Sequence, residues 1–186
     1  TYQCRRCHRI GMDGGENGPD LSFVGFRKSA EFLDLWLKDP SAWQPDTLMP
    51  DFHLRDEARR DLAVYLATLK GEDYRKTDPP RRGAEIYERA GCVTCHGKGG
   101  RGGYKNNNVA GGLIPKLTAA ADGFTKAELI RKIAVGVPAP APADPKAPPP
   151  LLAMPSWGKV LSEDEIAAVA DYLLTLGDKK TASDDW

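Results

Sequence analysis

Two five-residue runs carry the chemistry of this chain: Cys4-Arg5-Arg6-Cys7-His8 and Cys92-Val93-Thr94-Cys95-His96. In each, a second thiol follows the first by three positions, and an imidazole comes next. That spacing suits covalent attachment of a haem. The thiols add across its two vinyl groups as thioethers, and the adjacent His ligates the iron from one axial side. The four cysteines of the chain are all used in this way. Two other chemistries use such pairs. A zinc ribbon sets its pairs far closer together and needs no His after both. A thioredoxin-type redox pair follows a strand in a βαβ unit, whereas the surroundings here have helical periodicity. The doubled signal therefore points to two haems, with Cys4, Cys7 and Cys92, Cys95 as attachment points and His8 and His96 on the irons.

Each iron then takes a sixth ligand or keeps an open position. The chain has three methionines, Met12, Met49 and Met154. Met49 and Met154 each precede a proline and each lie between the two helices expected of their half, which selects them over gap-filling core roles. Met12 follows His8 too closely to reach the opposite face. A thioether opposite His is the electron-transfer choice and raises the reduction potential. His53 is the one His outside the two runs; near Met49, it is expected as a surface residue rather than a replacement ligand. Trp43 and Trp157 present indole N–H groups that suit a haem propionate, with core packing the alternative for each. Lys98, Arg101 and Lys105 form a basic run expected in a solvated loop, with a docking surface as the alternative.

The elements that must position these groups are helical. Ser29 is a good N-cap for a helix presenting Phe32, Leu33, Trp36 and Leu37 on one face. Asp39-Pro40 ends it, since Pro disfavours helical geometry in the residue before it. A second helix is expected over about 56–69, with Ala58, Leu62, Tyr65, Leu66 and Leu69 as its stripe and Gly71 as its C-terminal cap. Residues 72–80 read as a charged linker finished by Pro79-Pro80. A short helix over 83–90 leads into Cys92. The tract 97–112, rich in Gly and carrying Asn106, Asn107 and Asn108, reads as a long surface loop. Thr125-Lys126-Ala127-Glu128 and Ser162-Glu163-Asp164-Glu165 are capping boxes. Gly136 stops the first of those helices, 138–150 is Pro- and Ala-rich and expected to be extended, and Ile166, Val169, Ala170 and Leu173 form the buried stripe of the last.

The order of parts repeats. Leu54 matches Leu161, Ala63 matches Ala170, Tyr65-Leu66 matches Tyr172-Leu173, and Thr68-Leu69 matches Thr175-Leu176, without a gap. With the helix and the Met-Pro stretch in the same order, this is an internal duplication. Each half resembles a class I cytochrome c domain: C-x-x-C-H, a Gly-Pro or Ile-Pro turn, a helix, Met-Pro, and a final helix containing Tyr-Leu. The resemblance implies an all-α fold of two tandem domains, residues 1–76 and 79–180, each a few helices wrapped round one covalent haem c. It implies that the carbonyls of Pro19 and Pro115 accept hydrogen bonds from the proximal imidazoles, which orients a ligating His and tunes the metal. It also implies an N-terminal helix packed across the last one. Gly83, Ile86 and Tyr87 suit that role against Tyr172 and Leu173. The first half has no residues left for such a helix, so either it lay upstream or another segment covers the first haem. The second half carries Gly-rich and Pro-rich insertions.

Composition narrows the partners. Lys plus Arg total 26, as do Asp plus Glu, and that balance argues against nucleic acid. No run reaches the apolar length of a membrane span. Small domains gain from a buried porphyrin the apolar surface that they lack. The resemblance implies a dihaem carrier of single electrons between a redox protein donor and an acceptor, in a periplasmic or otherwise exported respiratory chain. The abrupt start leaves room for an upstream anchor to a membrane respiratory complex. The alternative class is a dihaem oxidoreductase or peroxidase with one substrate-accessible iron.

Overall fold

The computed structural model describes residues 3–71 and 76–177. The chain divides into two compact units, Thr1–Tyr74 and Arg75–Trp186.

Unit 1 opens on a 3-10 turn, Cys4–Arg6, and a hairpin of two-residue strands, β1 (Arg9–Ile10) and β2 (Asp13–Gly14). This hairpin is the departure from an otherwise helical fold. A second 3-10 turn, Val24–Phe26, leads to α1 (Ala30–Lys38), α2 (Pro40–Trp43) and α3 (Asp56–Thr68). Ser29 caps α1 as its side chain accepts from the Phe32 N–H. Asp39 ends α1 in an extended conformation and caps α2, where Pro40 takes the first position. Val24, Leu33, Leu37, Ala63 and Leu66 form the core, with Met49, Leu54 and Leu62 packed on it.

The stripe expected of α3 is corrected in part. Arg59, Ala63 and Leu66 are the buried positions, and Tyr65 is half exposed. Ala63 is small enough for α1 to approach. Arg59 turns inward because Asp34 and Asp56 meet its guanidinium at 2.8 and 2.6 Å. Gly25 does in unit 1 what a packed helix does elsewhere. Its N–H donates to Leu69 O, and a Cβ there would stand 2.2 Å from Ala67 O. The turn that carries Gly25, with Phe26 fully buried, thus lies against the C-terminal end of α3.

Unit 2 contains α4 (Pro79–Arg89), α5 (Cys92–His96), α6 (Ala120–Gly123), α7 (Lys126–Val135) and α8 (Glu163–Leu174). The helix expected over 83–90 starts a turn earlier. Pro79-Pro80 do not finish a linker; they occupy the first turn of α4, where a missing N–H costs nothing. Residues 72–75 lie outside the described residues. Both capping boxes form, at Thr125–Glu128 and Ser162–Glu165. α4 crosses α8 at Gly83, where a Cβ would stand 1.9 Å from Ala168 O. Ile86, Tyr87, Val169, Ala170 and Leu173 are buried about this crossing, and Tyr87 meets Tyr172 edge to face at 5.4 Å between centroids. This is the packing expected of Gly83, Ile86 and Tyr87 on the last helix.

Candidate haem sites

In unit 1, Cys4 and Cys7 flank one 3-10 turn, and in unit 2, Cys92 and Cys95 lie three apart on α5. Either geometry sets both thiols on one side of the backbone. Among the described residues no group of three or more Cys, His, Asp or Glu is placed to hold a metal ion. Burial pushes the Cys92 thiol up to about 11 and holds the His96 imidazole below its usual value.

The histidines are oriented alike. His8 Nδ1 lies 2.8 Å from Pro19 O, and His96 Nδ1 lies 3.3 Å from Pro115 O. A carbonyl only accepts, so Nδ1 carries the proton in both and the Nε2 lone pair is left for a metal. Different neighbours bring the prolines in. In unit 1 the Gly18 N–H donates to Cys7 O at 2.7 Å, and a Cβ on Gly18 would stand 2.6 Å from His8 Cε1. The ring therefore lies flat against bare backbone. In unit 2 the matching residue is Ile114, buried, whose N–H donates to Tyr104 O. Leu117 N–H donates to Gly100 O and Gly102 N–H to His96 O, which folds the Gly-rich tract back over Pro115.

The two methionines are held by unlike means. Met49 N–H donates to Thr47 Oγ1 at 3.2 Å, and Met49 Sδ accepts from Trp36 Nε1–H at 3.1 Å. Met154 pairs with Val137 in an antiparallel bridge through two backbone hydrogen bonds. Gly136, at φ +81°, lets this happen, because its Cβ would stand 2.6 Å from Met154 O. The segment after Met154 caps α7: Trp157 N–H donates to Ile133 O, and Gly158 N–H and Ser156 Oγ–H donate to Ala134 O.

The segment before Met154 is fastened by three consecutive asparagines. Asn106 exchanges hydrogen bonds with the backbone of Leu152, and Asn107 donates to Pro149 O and accepts from Leu151 N–H. Asn108 accepts from Asp144 N–H and donates to the Asp144 and Pro148 carbonyls. The tract expected as a plain surface loop is thus half of a clasp, with Asn106 buried. The signal that could have found it is polar: three adjacent amides opposite a Pro-rich stretch whose carbonyls lack N–H partners.

The remaining candidates are placed as follows. Trp43 is half exposed and meets Phe32 edge to face at 5.4 Å, while Trp157 is half-buried. Met12 is fully exposed. His53 is exposed too, its Nδ1 lying 3.0 Å from the Asp51 carboxylate. Lys98, Arg101 and Lys105 are exposed.

Paired thiols, an imidazole with its Nε2 free and a thioether on a following Met-Pro segment form a donor set that fits a covalent haem. The chain belongs to the cytochrome c family, whose sequence model, described as "Cytochrome c", matches residues 80–177. A domain of this family binds haem c covalently. The chain is 34% identical over 97 residues to cytochrome c6 of Euglena gracilis, covering 50% of this chain and 87% of that protein. It is 30% identical over 184 residues to the Cbb3-type cytochrome c oxidase subunit FixP of Azorhizobium caulinodans, covering 94% of this chain and 56% of that protein. The chain thus spans about half the length of FixP. Among solved structures, a chain of the Kuenenia stuttgartiensis reducing HAO-like protein complex is similar at a TM-score of 0.36 and 17% identity, over 89% of this chain and 83% of that one.

Proposed function

We propose that each unit is a cytochrome c domain with one covalent haem, and that the chain relays single electrons between a redox protein donor and an acceptor. The observation that carries this reading is the recurrence in unit 1 of the arrangement found in unit 2. Each has a C-x-x-C-H turn, a Nδ1–H donated to a proline carbonyl, and a Met-Pro segment between its helices. His8 and Met49 hold one iron and His96 and Met154 the other. Thioether ties at Cys4, Cys7, Cys92 and Cys95 fix the two rings. Each haem, when bound, supplies a one-electron Fe(III)/Fe(II) couple. The residues of the chain would offer each iron an imidazole and a thioether and hold the imidazoles in one tautomer, so that little structure would change between oxidation states. Trp43 and Trp157 serve as propionate donors.

The similarity to FixP extends over both units and supports a place in an exported respiratory chain, as the cytochrome part of a membrane oxidase complex. Among the described residues no helix is long and apolar enough to cross a membrane. The test is the mass of the mature chain from a host that attaches haem c: two haems above the polypeptide mass are expected, and one haem overturns the dihaem reading. Carbon monoxide then separates carrier from catalyst. Ready binding by one ferrous haem at neutral pH would mark an open iron and favour an oxidoreductase.

A further inference from the structure

We propose that Trp36 tunes the first haem site: its indole N–H donates to the sulfur of Met49 and so weakens that sulfur as a donor to ferric iron. The inference rests on the reading of Met49 as an iron ligand. Trp36 Nε1 lies 3.1 Å from Met49 Sδ. A thioether sulfur has two lone pairs, so an N–H on one leaves the other for the metal. The contact is built from both sides. On the donor side, Trp36 stacks on Phe32 at 6.3 Å between centroids with the planes 22° apart, and Phe32 also meets Trp43 and Lys28. The indole therefore has little freedom to swing away. On the acceptor side, Met49 packs on the core of unit 1, and Thr47 holds its backbone N–H.

A packing role alone does not account for the residue. The burying positions of α1 are Leu33 and Leu37, while Trp36 stays half-buried at the edge of the core. An indole N–H in such a place ordinarily finds a carbonyl or water; here it meets a weak acceptor, the sulfur. The second unit offers a comparison within the same chain. Ser29 and Thr125 are equivalent N-caps with matching dihedral angles, so Leu33 corresponds to Leu129, Leu37 to Ile133, and Trp36 to Lys132. Lys132 cannot repeat the indole's role, as its ammonium lies 5.0 Å from the Phe124 ring centroid.

Withdrawing electron density from the axial sulfur disfavours the ferric state more than the ferrous one, which raises the potential. The experiment uses the holoprotein and Trp36→Phe, which keeps an aromatic ring and removes the N–H. Each haem is titrated potentiometrically, and the long-wavelength sulfur-to-iron band is followed in the ferric state. The expected result is a lower potential at the first site, an Fe(III)/Fe(II) ratio at fixed potential raised about threefold, a shifted but persistent band, and an unmoved second site. If Trp36→Phe does not fold, benzothienylalanine at position 36 replaces the N–H by sulfur within the same ring shape. An unmoved first potential and band in either variant, while Met49→Ala abolishes the band of that site, overturns the role of Trp36 and leaves Met49 a ligand. A band that survives Met49→Ala overturns the ligand reading itself, and the inference with it.

Discussion

Replacing Gly18 by alanine sets one methyl group against the proximal imidazole of the first site. The new Cβ would stand 2.6 Å from His8 Cε1, 2.7 Å from Nδ1 and 3.1 Å from Nε2, where ordinary contact begins at 3.4 Å. The backbone of Gly18 is not in the left-handed region, so the ring contact and not backbone strain is what alanine meets. The ring must retreat by about 0.8 Å. It cannot do so by flexing a long chain, because His8 is anchored by its N–H to Cys4 O at 3.0 Å. A shift of that size along the 2.8 Å bond to Pro19 O would stretch it to about 3.6 Å, past the reach of a hydrogen bond. Such a bond is worth about 1 kcal/mol net. It is stronger when iron is ferric, since the oxidised metal draws more density from an imidazole whose N–H is engaged. If half or more of it differs between oxidation states, the potential of the first haem rises by about 20–40 mV. Unit 2 already displays the direction: Ile114 takes the place of Gly18, and the bond there is 3.3 Å. The assay is redox titration of both haems in parent and Gly18→Ala. A first potential that stays put or falls would refute the chain of reasoning from methyl to imidazole to iron.

Met49→Ala and Met154→Ala should each open one iron, lower its potential and leave the other nearly unchanged; carbon monoxide binding to the ferrous protein checks this site by site. Gly83→Ala should destabilise unit 2 by about 1–3 kcal/mol. Alanine improves helix propensity by about 1 kcal/mol, but its Cβ cannot stand 1.9 Å from Ala168 O without parting α4 from α8. Denaturant unfolding of the holoprotein reads the sign, and a gain in stability would mean that the crossing is looser than described. Acid should weaken unit 1. Hydrogen bonds from Ser22 hold Asp20 below the usual carboxylate value, those from Ser41 and Ala42 hold Asp39 below it, and Arg59 does so for Asp56. A lowered folded pKa gives stability that is present above the unfolded value near 3.9 and lost as pH falls through the folded one. Hydrogen exchange at pH 3 compared with pH 6 should therefore rise in α1–α3, next to these carboxylates. Asn108→Ala should loosen residues 144–148 and speed their hydrogen exchange at least tenfold, since it removes a cluster of bonds worth more than 1.4 kcal/mol together.

Local signals carried much of this in the sequence. Ser29, Thr125 and Ser162 cap the helices they were expected to cap, because the side chain and its N–H target lie within one turn of each other. The stripe of α8 was legible because Ile86 and Tyr87 of α4 are buried against it. The stripe of α3 was only half legible. Arg59 reads as solvent-facing until Asp34, in another helix, is brought beside it. Pro79-Pro80 read as a break, yet the same two residues open a helix when a turn of good helix formers follows. The clasp lay hidden for a different reason: its partners are 36 to 46 residues from the asparagines and are backbone groups, which leave no mark in the side-chain pattern. The Trp36 contact shares that difficulty, as Leu33, Trp36 and Leu37 look alike to a periodicity argument.

What distinguishes the two halves is where the control of the sulfur lies. In unit 1 only α2 and a short loop separate α1 from Met49, and the loop offers little backbone pairing. A side chain supplies the constraint, and it acts on the sulfur atom itself. In unit 2 the insertions give the methionine segment a β-bridge, three caps on α7 and an amide clasp, all acting on backbone and none on the sulfur. A side-chain donor changes what the ligand offers the metal, whereas a backbone fastening changes where the ligand stands. Substitutions in unit 1 should accordingly move a potential with the ligand still bound. Those in the clasp of unit 2 should act as a loss of ligand, appearing as a second, ligand-free population rather than as a smooth shift. On the dihaem reading, the two units would thus differ in redox behaviour while offering their irons the same pair of ligand types.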